Sequence, residues 1–339
     1  MRRWLLLRLL WCVLTLFGIT FVTFVVMDLA PVDRAEREAT QAAQDGTLPD
    51  AVLREAAVLR LRVRYGMVDP ETKLPLPLWR RYTAWLSSAA VLQLAGPDAD
   101  NAAFWRRLGE AAPVTLLLGG LSLLCVFVFG VGIGSWLGVA AGSKRDRVAS
   151  GVLLTLVGMP EFLLATLLPL VFGSMWLQWL PTSGLRSPGS DGWSFGWQVV
   201  DFGRHLIMPV LVMALGPTVM VARFVRDSVA RAAVAPFVTN LQALGIEPEV
   251  VRWRLLRHGL APVATLAGNL LPMLVGGSIV VENLFGLDGL GHLAFDAVMQ
   301  QDQATVMALV LVTSIITLLS LLASDVLHRC VDPRVRLQP

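Results

Sequence analysis

Nucleophilic, acid–base or metal chemistry needs polar side chains that converge, and this chain spaces its candidates apart. His205, His258, His292 and His328 stand at the edges of apolar stretches and far from one another in sequence. Cys12, Cys125 and Cys330 are odd in number and lack metal-ligand spacing. Neither lysine, Lys73 or Lys144, follows a glycine, so the Gly-Lys-Ser/Thr core of a phosphate-binding loop is missing. The sequence therefore predicts no enzyme, no resident metal and no nucleotide site, and any energy must come from a partner or a gradient. What remains are carboxylates in apolar surroundings. Met159-Pro160-Glu161-Phe162 sets a proline and a carboxylate inside a hydrophobic run, where an ionisable group is costly and faces a cavity or a partner. Glu161 could also lie near the interface or hydrogen-bond a neighbouring helix for packing. Glu282 closes a second apolar run, and these two residues are the candidates for a translocation path.

The elements that must carry these groups are set by composition. Of 339 residues 55% are hydrophobic and 16% charged, too apolar for a soluble domain of this length, so a polytopic membrane protein is expected. The net charge of +3 comes from basic clusters that flank apolar runs, a pattern of orientation signals that disfavours nucleic-acid binding. Residues 1–30 read as a first transmembrane helix, retained rather than cleaved, because the run after Arg8 is longer than a signal-peptide core. Residues 31–110 hold eleven basic and eleven acidic side chains and form a large polar segment. Trp79, Tyr82, Trp85 and Trp105 read there as an interfacial belt or, less simply, as a solute-receiving surface. Further spans are expected over 111–141, 148–176, 205–224, 262–281 and 304–327, the first rich in glycines that permit close helix contact. Basic residues Lys144, Arg145, Arg223, Arg226 and Arg231 put the intervening loops, and both termini, on the cytoplasmic side.

Residues 236–262 are too polar to span. Phe237, Val238, Leu241 and Leu244 share one helical face, Gly245 suits a left-handed stop, and Pro248 suits the first turn of a second helix bearing Arg252, Arg254, Arg257 and His258. Two readings of this helix, glycine turn and helix stay open. It is a cytoplasmic loop whose arginines only mark a side, or a segment that docks on another protein.

An amphipathic helix, a glycine and a basic second helix, late in six spans, resemble the "EAA" loop of bacterial ABC-importer permeases. Val280-Val281-Glu282-Asn283-Leu284-Phe285, Gly289-Leu290-Gly291, Asp302, Asp325 and Asp332-Pro333-Arg334-Val335-Arg336 are similar in order and spacing to the dipeptide, oligopeptide and nickel permease family. Gln178-Trp179-Leu180-Pro181 and Leu29-Ala30-Pro31 fit the same pattern, so the resemblance covers nearly the whole chain. It departs from the family at Thr239-Asn240-Leu241, where small and charged residues are usual.

The resemblance implies an all-α integral membrane protein of six transmembrane helices with the type I ABC importer permease fold. A large external (periplasmic) segment over 31–110 would separate spans one and two, and 111–339 would form a five-helix core carrying the coupling loop 236–262. It implies a permease subunit of an ATP-driven importer for short peptides or a related small solute in the cytoplasmic (inner) membrane. Asn240, Leu241, Ala243, Leu244, Gly245, Arg252 and Arg254 would meet the ATPase. Its partners would be a second homologous permease, two cytoplasmic ATPase subunits that hold the ATP and magnesium, and an external solute-binding protein. The competing class is an ion-gradient-driven secondary carrier, which would bury several ionisable groups near mid-membrane; only Glu161 is a candidate here.

Overall fold

The computed structural model describes residues 2–29, 34–44, 51–94, 101–260, 278–300 and 302–331, with single positions 270 and 272. The described residues are helical almost throughout: α1 Arg2–Asp28, α2 Arg34–Gln44, α3 Ala51–Arg64, α4 Leu78–Ala90, α5 Asn101–Val139, α6 Lys144–Val157 and α7 Glu161–Leu168. After a π-helical turn Pro169–Met175 come α8 Phe195–Ala233, α9 Pro236–Ala243, α10 Pro248–Gly259, α11 Ile279–Leu284, α12 Leu290–Met299 and α13 Gln303–Val331. Among the described residues α1, α5, α8 and α13 are each long and apolar enough to cross a membrane. The span expected over 262–281 lies outside them apart from positions 270, 272 and 278–281, as does the Asp332 to Arg336 motif.

Two expectations about element length are corrected. The helix expected over 148–176 is broken: α6 stops before Gly158, and α7 leaves it at 92°. Pro160 is the cause, since it donates no N–H and disfavours helical backbone at Met159. Conversely α5 and α8 extend well beyond the apolar runs that located them, α8 passing through Pro209 and Pro217 without ending.

The chain divides into two compact units, Met1–Glu110 with Leu293–Ile315 and Ala111–His292 with Ile316–Pro339. In the first, α4 docks on α1 through Tyr82, which is fully buried. Its ring meets Phe17, Phe21 and Phe24 edge-on at 5.5, 5.3 and 5.5 Å, and its hydroxyl pairs with Thr20 Oγ1 at 2.9 Å. Arg81 closes the same contact with Asp28. Tyr82, expected at an interface, is thus a packing residue, because aromatic burial contributes more than a place in the headgroup layer.

The second unit is built on α8. Gly130, Gly134 and Gly138 recur every fourth residue on α5 and let α8 approach so closely that a β-carbon at Gly134 would sit 2.4 Å from Ala222 O and 2.7 Å from Val225 Cβ. At Gly138 it would sit 2.7 Å from Val229 Cβ, whereas Gly132, on another face, has no heavy atom within 4 Å. Where lipid supplies no hydrophobic drive, such close backbone contact is the main source of helix association. Near its C-terminal end α8 also holds α6: Arg226 donates Nε and Nη2 to the buried Asp146 carboxylate at 3.1 and 2.5 Å, and Gly142 N–H adds a third donor at 2.8 Å. Arg226, legible in the sequence only as a cytoplasmic marker, is a clamp.

Gly134→Ala should therefore separate α5 from α8 and lower the thermal midpoint of the detergent-purified chain by several degrees, while Gly132→Ala leaves it unchanged or higher. Equal midpoints for the two variants would show that the glycine ridge carries no packing energy.

Candidate functional site

The expected docking segment forms as α9, a turn and α10, and its local geometry follows from the sequence. The end of α9 is a Schellman motif: Ile246 N–H donates to Leu241 O at 3.2 Å and Gly245 N–H to Gln242 O at 3.0 Å, with Gly245 at φ +68°. That φ is left-handed, which a residue without a β-carbon adopts at little cost. Ile246 then folds back beside Leu241, and both join Phe237 over the buried residues Ala232, Val238, Val251 and Leu255. The hairpin therefore has its own small core, rooted in the end of α8. Gly259 fixes its far end, since a β-carbon there would meet Val229 Cα at 3.0 Å.

One detail differs from the helical-wheel expectation. Leu244 does not share the buried face of Phe237, Val238 and Leu241; it is 76% exposed. The helix ends at Ala243, so the wheel no longer applies at Leu244, and Ile246 takes the inward place. Asn240, Ala243, Leu244 and Gly245 are exposed together at the tip, with Leu241 half-buried beneath them. Arg252 and Arg254 are exposed on α10, where Arg252 is paired with Glu249 at 2.6 Å. The turn thus presents backbone, the amides of Asn240 and Gln242 and the large apolar side chain of Leu244 outward.

The two carboxylates have different settings. Glu161 is exposed at the start of α7, on a cavity of about 540 Å³ at the α6–α7 break. Glu282 is fully buried in α11. One of its oxygens accepts Thr115 Oγ1–H at 2.8 Å; the other accepts Gly291 N–H at 2.6 Å and His292 N–H at 3.1 Å. Thr115 Oγ1 in turn accepts Leu290 N–H at 2.8 Å. The carboxylate thus caps the first N–H groups of α12, where the helix dipole favours negative charge. This explains Gly289-Leu290-Gly291: a β-carbon at Gly289 would lie 2.4 Å, and one at Gly291 2.8 Å, from Glu282 Oε2. Thr115 escaped notice in the sequence, where a threonine in an apolar run signals nothing. His205 likewise turns out buried, its Nδ1 paired with Asp201 O at 2.8 Å. Among the described residues no group of three metal-ligating side chains gathers.

With a capped hairpin at one end of α8 and the Glu282 knot on the Gly-Leu-Gly turn, comparison with known proteins becomes decisive. Residues 130–337, which include the hairpin, Glu282 and the Gly-Leu-Gly turn, match the model of the "binding-protein-dependent transport system inner membrane component" family. The chain belongs to that family. It is therefore a multi-pass membrane permease subunit of an ABC transport system, and not a carrier working alone. Among its relatives, an oligopeptide transport system permease protein of Bacillus subtilis is 26% identical over 331 residues, covering 94% of this chain and 95% of its own length. A glutathione transport system permease protein of Escherichia coli is 28% identical over 333 residues, 97% of each chain.

Glu282→Gln keeps the shape of the knot but replaces an anionic acceptor with an amide that must turn one NH2 toward donors. The purified chain should lose about 1–3 kcal/mol of stability, the range for a buried charge-assisted hydrogen bond. A thermal midpoint equal to wild type would show that the carboxylate is not charged in the folded state.

Proposed function

We propose that this chain is one of two permease subunits of an ATP-driven importer for short peptides or a related small solute. Two cytoplasmic ATPase subunits hold the nucleotide and magnesium, and an external binding protein delivers the solute. The single observation that carries the reading is the α9–α10 hairpin: an exposed Leu244 and Gly245 tip on a rigid cap, tied through Gly259 to α8. ATP binding draws the two ATPases together. Each seats the tip of a hairpin in a groove, and because α10 has no slack against Val229, movement of the tip becomes movement of α8. The spans rock outward, receive the solute and return on hydrolysis. Nothing in this chain breaks a bond. The relatives' names support a peptide-class solute, since one is an oligopeptide and the other a glutathione permease.

The same reading gives six spans, with 31–110 and 288–302 external and both termini inside. Asp288 and Asp302 with no Lys or Arg between them agree with that side. Cysteine introduced at Asp69 should react with an impermeant maleimide in intact cells, and cysteine at Arg145 only after permeabilisation. Labelling of Arg145→Cys in sealed cells would overturn the topology.

Coupling is tested at Gly245. A valine there finds open space around its β-carbon, so its cost is the left-handed backbone alone, about 1–2 kcal/mol, enough to misplace the tip. Gly245→Val should insert normally, co-purify poorly with its ATPases and lose stimulated ATP hydrolysis, while the binding protein keeps its affinity for solute. Gly245→Asn, which tolerates positive φ, should retain most of the activity. Wild-type ATPase stimulation in Gly245→Val proteoliposomes would reduce the segment to an ordinary loop.

A further inference from the structure

The cavity at the α6–α7 break is walled by Met159, Pro160, Leu164, Val212, Met213 and Pro217, among others, and all its lining residues belong to the second compact unit. Its volume of about 540 Å³ lies within the range of small-molecule sites. Among its described lining residues there is no lysine, arginine or histidine, and Glu161 is the one ionisable group. Among the described residues Glu161 has no hydrogen-bonding or ionic partner.

Two features of the backbone add to that negative charge. Pro217 has no N–H, so the Met213 carbonyl one turn earlier, also on the cavity wall, loses its helical donor. The break at Gly158 leaves the end of α6, the negative pole of that helix, at the cavity through Val157 and Met159. The positive end of α7, which begins at Glu161, lies at the same cavity and offsets part of this, so the Glu161 carboxylate is the charge presented to a mostly apolar space, with Met213 on its wall. The complement of such a site is a compact cation with several N–H donors and an apolar body.

We infer that this cavity binds the protonated amine of the transported solute, with Glu161 as the specificity-determining residue and the Met213 carbonyl as a second acceptor. The inference rests on the reading of the chain as a permease for a peptide-like solute and names the part of that solute which is recognised. The α-ammonium of a free peptide offers three donors and one positive charge; an acetylated N-terminus offers one donor and no charge. The apolar walls take the first side chain. Because the cavity opens at a kink in a span, solute would meet this charge within the membrane, where a lone carboxylate attracts a cation far more strongly than in water.

Binding is measured on the full chain in phosphatidylglycerol nanodiscs, which contain no aminolipid, with trialanine and N-acetyl-trialanine as probes. Wild type should bind trialanine at least tenfold more tightly than the acetylated form. Glu161→Gln should narrow that ratio to less than about twofold while leaving the fold intact, since Glu161 is exposed. Gly216 lines the cavity with no heavy atom within 4 Å of its β-carbon position, so Gly216→Phe fits into α8, fills the space and should abolish binding of both probes. Equal binding of the two probes to wild type, binding of neither, or an unchanged ratio in Glu161→Gln would each overturn the inference. So would loss of trialanine binding on adding phosphatidylethanolamine, which would assign the cavity to a lipid headgroup. None of these readouts involves ATPase stimulation, so failure here and failure of the coupling reading are distinguishable.

Discussion

At Val229 three helices of the second unit meet without room to spare. From α8 its side chain and backbone face Gly138 on α5 and Gly259 on α10, each so near that a β-carbon would lie 2.7 Å from Val229 Cβ in the first case and 2.9 Å from Val229 Cγ2 in the second. Lipid gives helices no hydrophobic reason to associate, so contact at this density is what holds them. One turn earlier Arg226 fastens α6 to the same helix through Asp146. α5, α6 and α10 are thus all fixed to a single short stretch near the C-terminal end of α8. A displacement applied there cannot be absorbed by side-chain rearrangement, because glycines leave no side chains to rearrange.

That density sits beside deliberate gaps. α8 keeps two prolines, and the α6–α7 pair is broken outright by a third. Broken and interrupted helices are tolerated in a bilayer where they line a cavity, since only there can freed carbonyls find another donor. The same second unit therefore has a tightly packed end of α8 and, at the α6–α7 break farther along that helix, an open cavity.

Much of this was legible in the sequence, and the reason differs from case to case. The α9–α10 hairpin was readable because each cue acts within a few residues: apolar spacing, a glycine at the stop, a proline at the restart. Leu244 was misplaced because a helical wheel assumes the helix continues, and the chain had already turned. The glycines of α5 announced close packing, yet Gly130, Gly134 and Gly138 do it where Gly120 and Gly132 do not, and a sequence does not say which face a partner will take. The break at Pro160 was visible as a proline in an apolar run, but hydropathy counts residues and is blind to direction, so one span was read where two helices cross at 92°. Tyr82 and Thr115 were opaque because their roles depend on partners brought from 62 and 167 residues away.

The reach of the Glu282 knot bears on how the protein is made. Thr115 enters the bilayer early with α5, but its carboxylate partner lies 167 residues downstream and the helix terminus that completes the knot follows later still. At ribosomal speeds of about 5–20 residues per second, α5 waits roughly ten to thirty seconds for them. In that interval α8 is synthesised and offers α5 both its glycine contacts and an apolar cluster of Leu118 with Leu206, Met208 and Val210. The knot, which needs His292, is thus the last of these contacts that the order of synthesis permits to close.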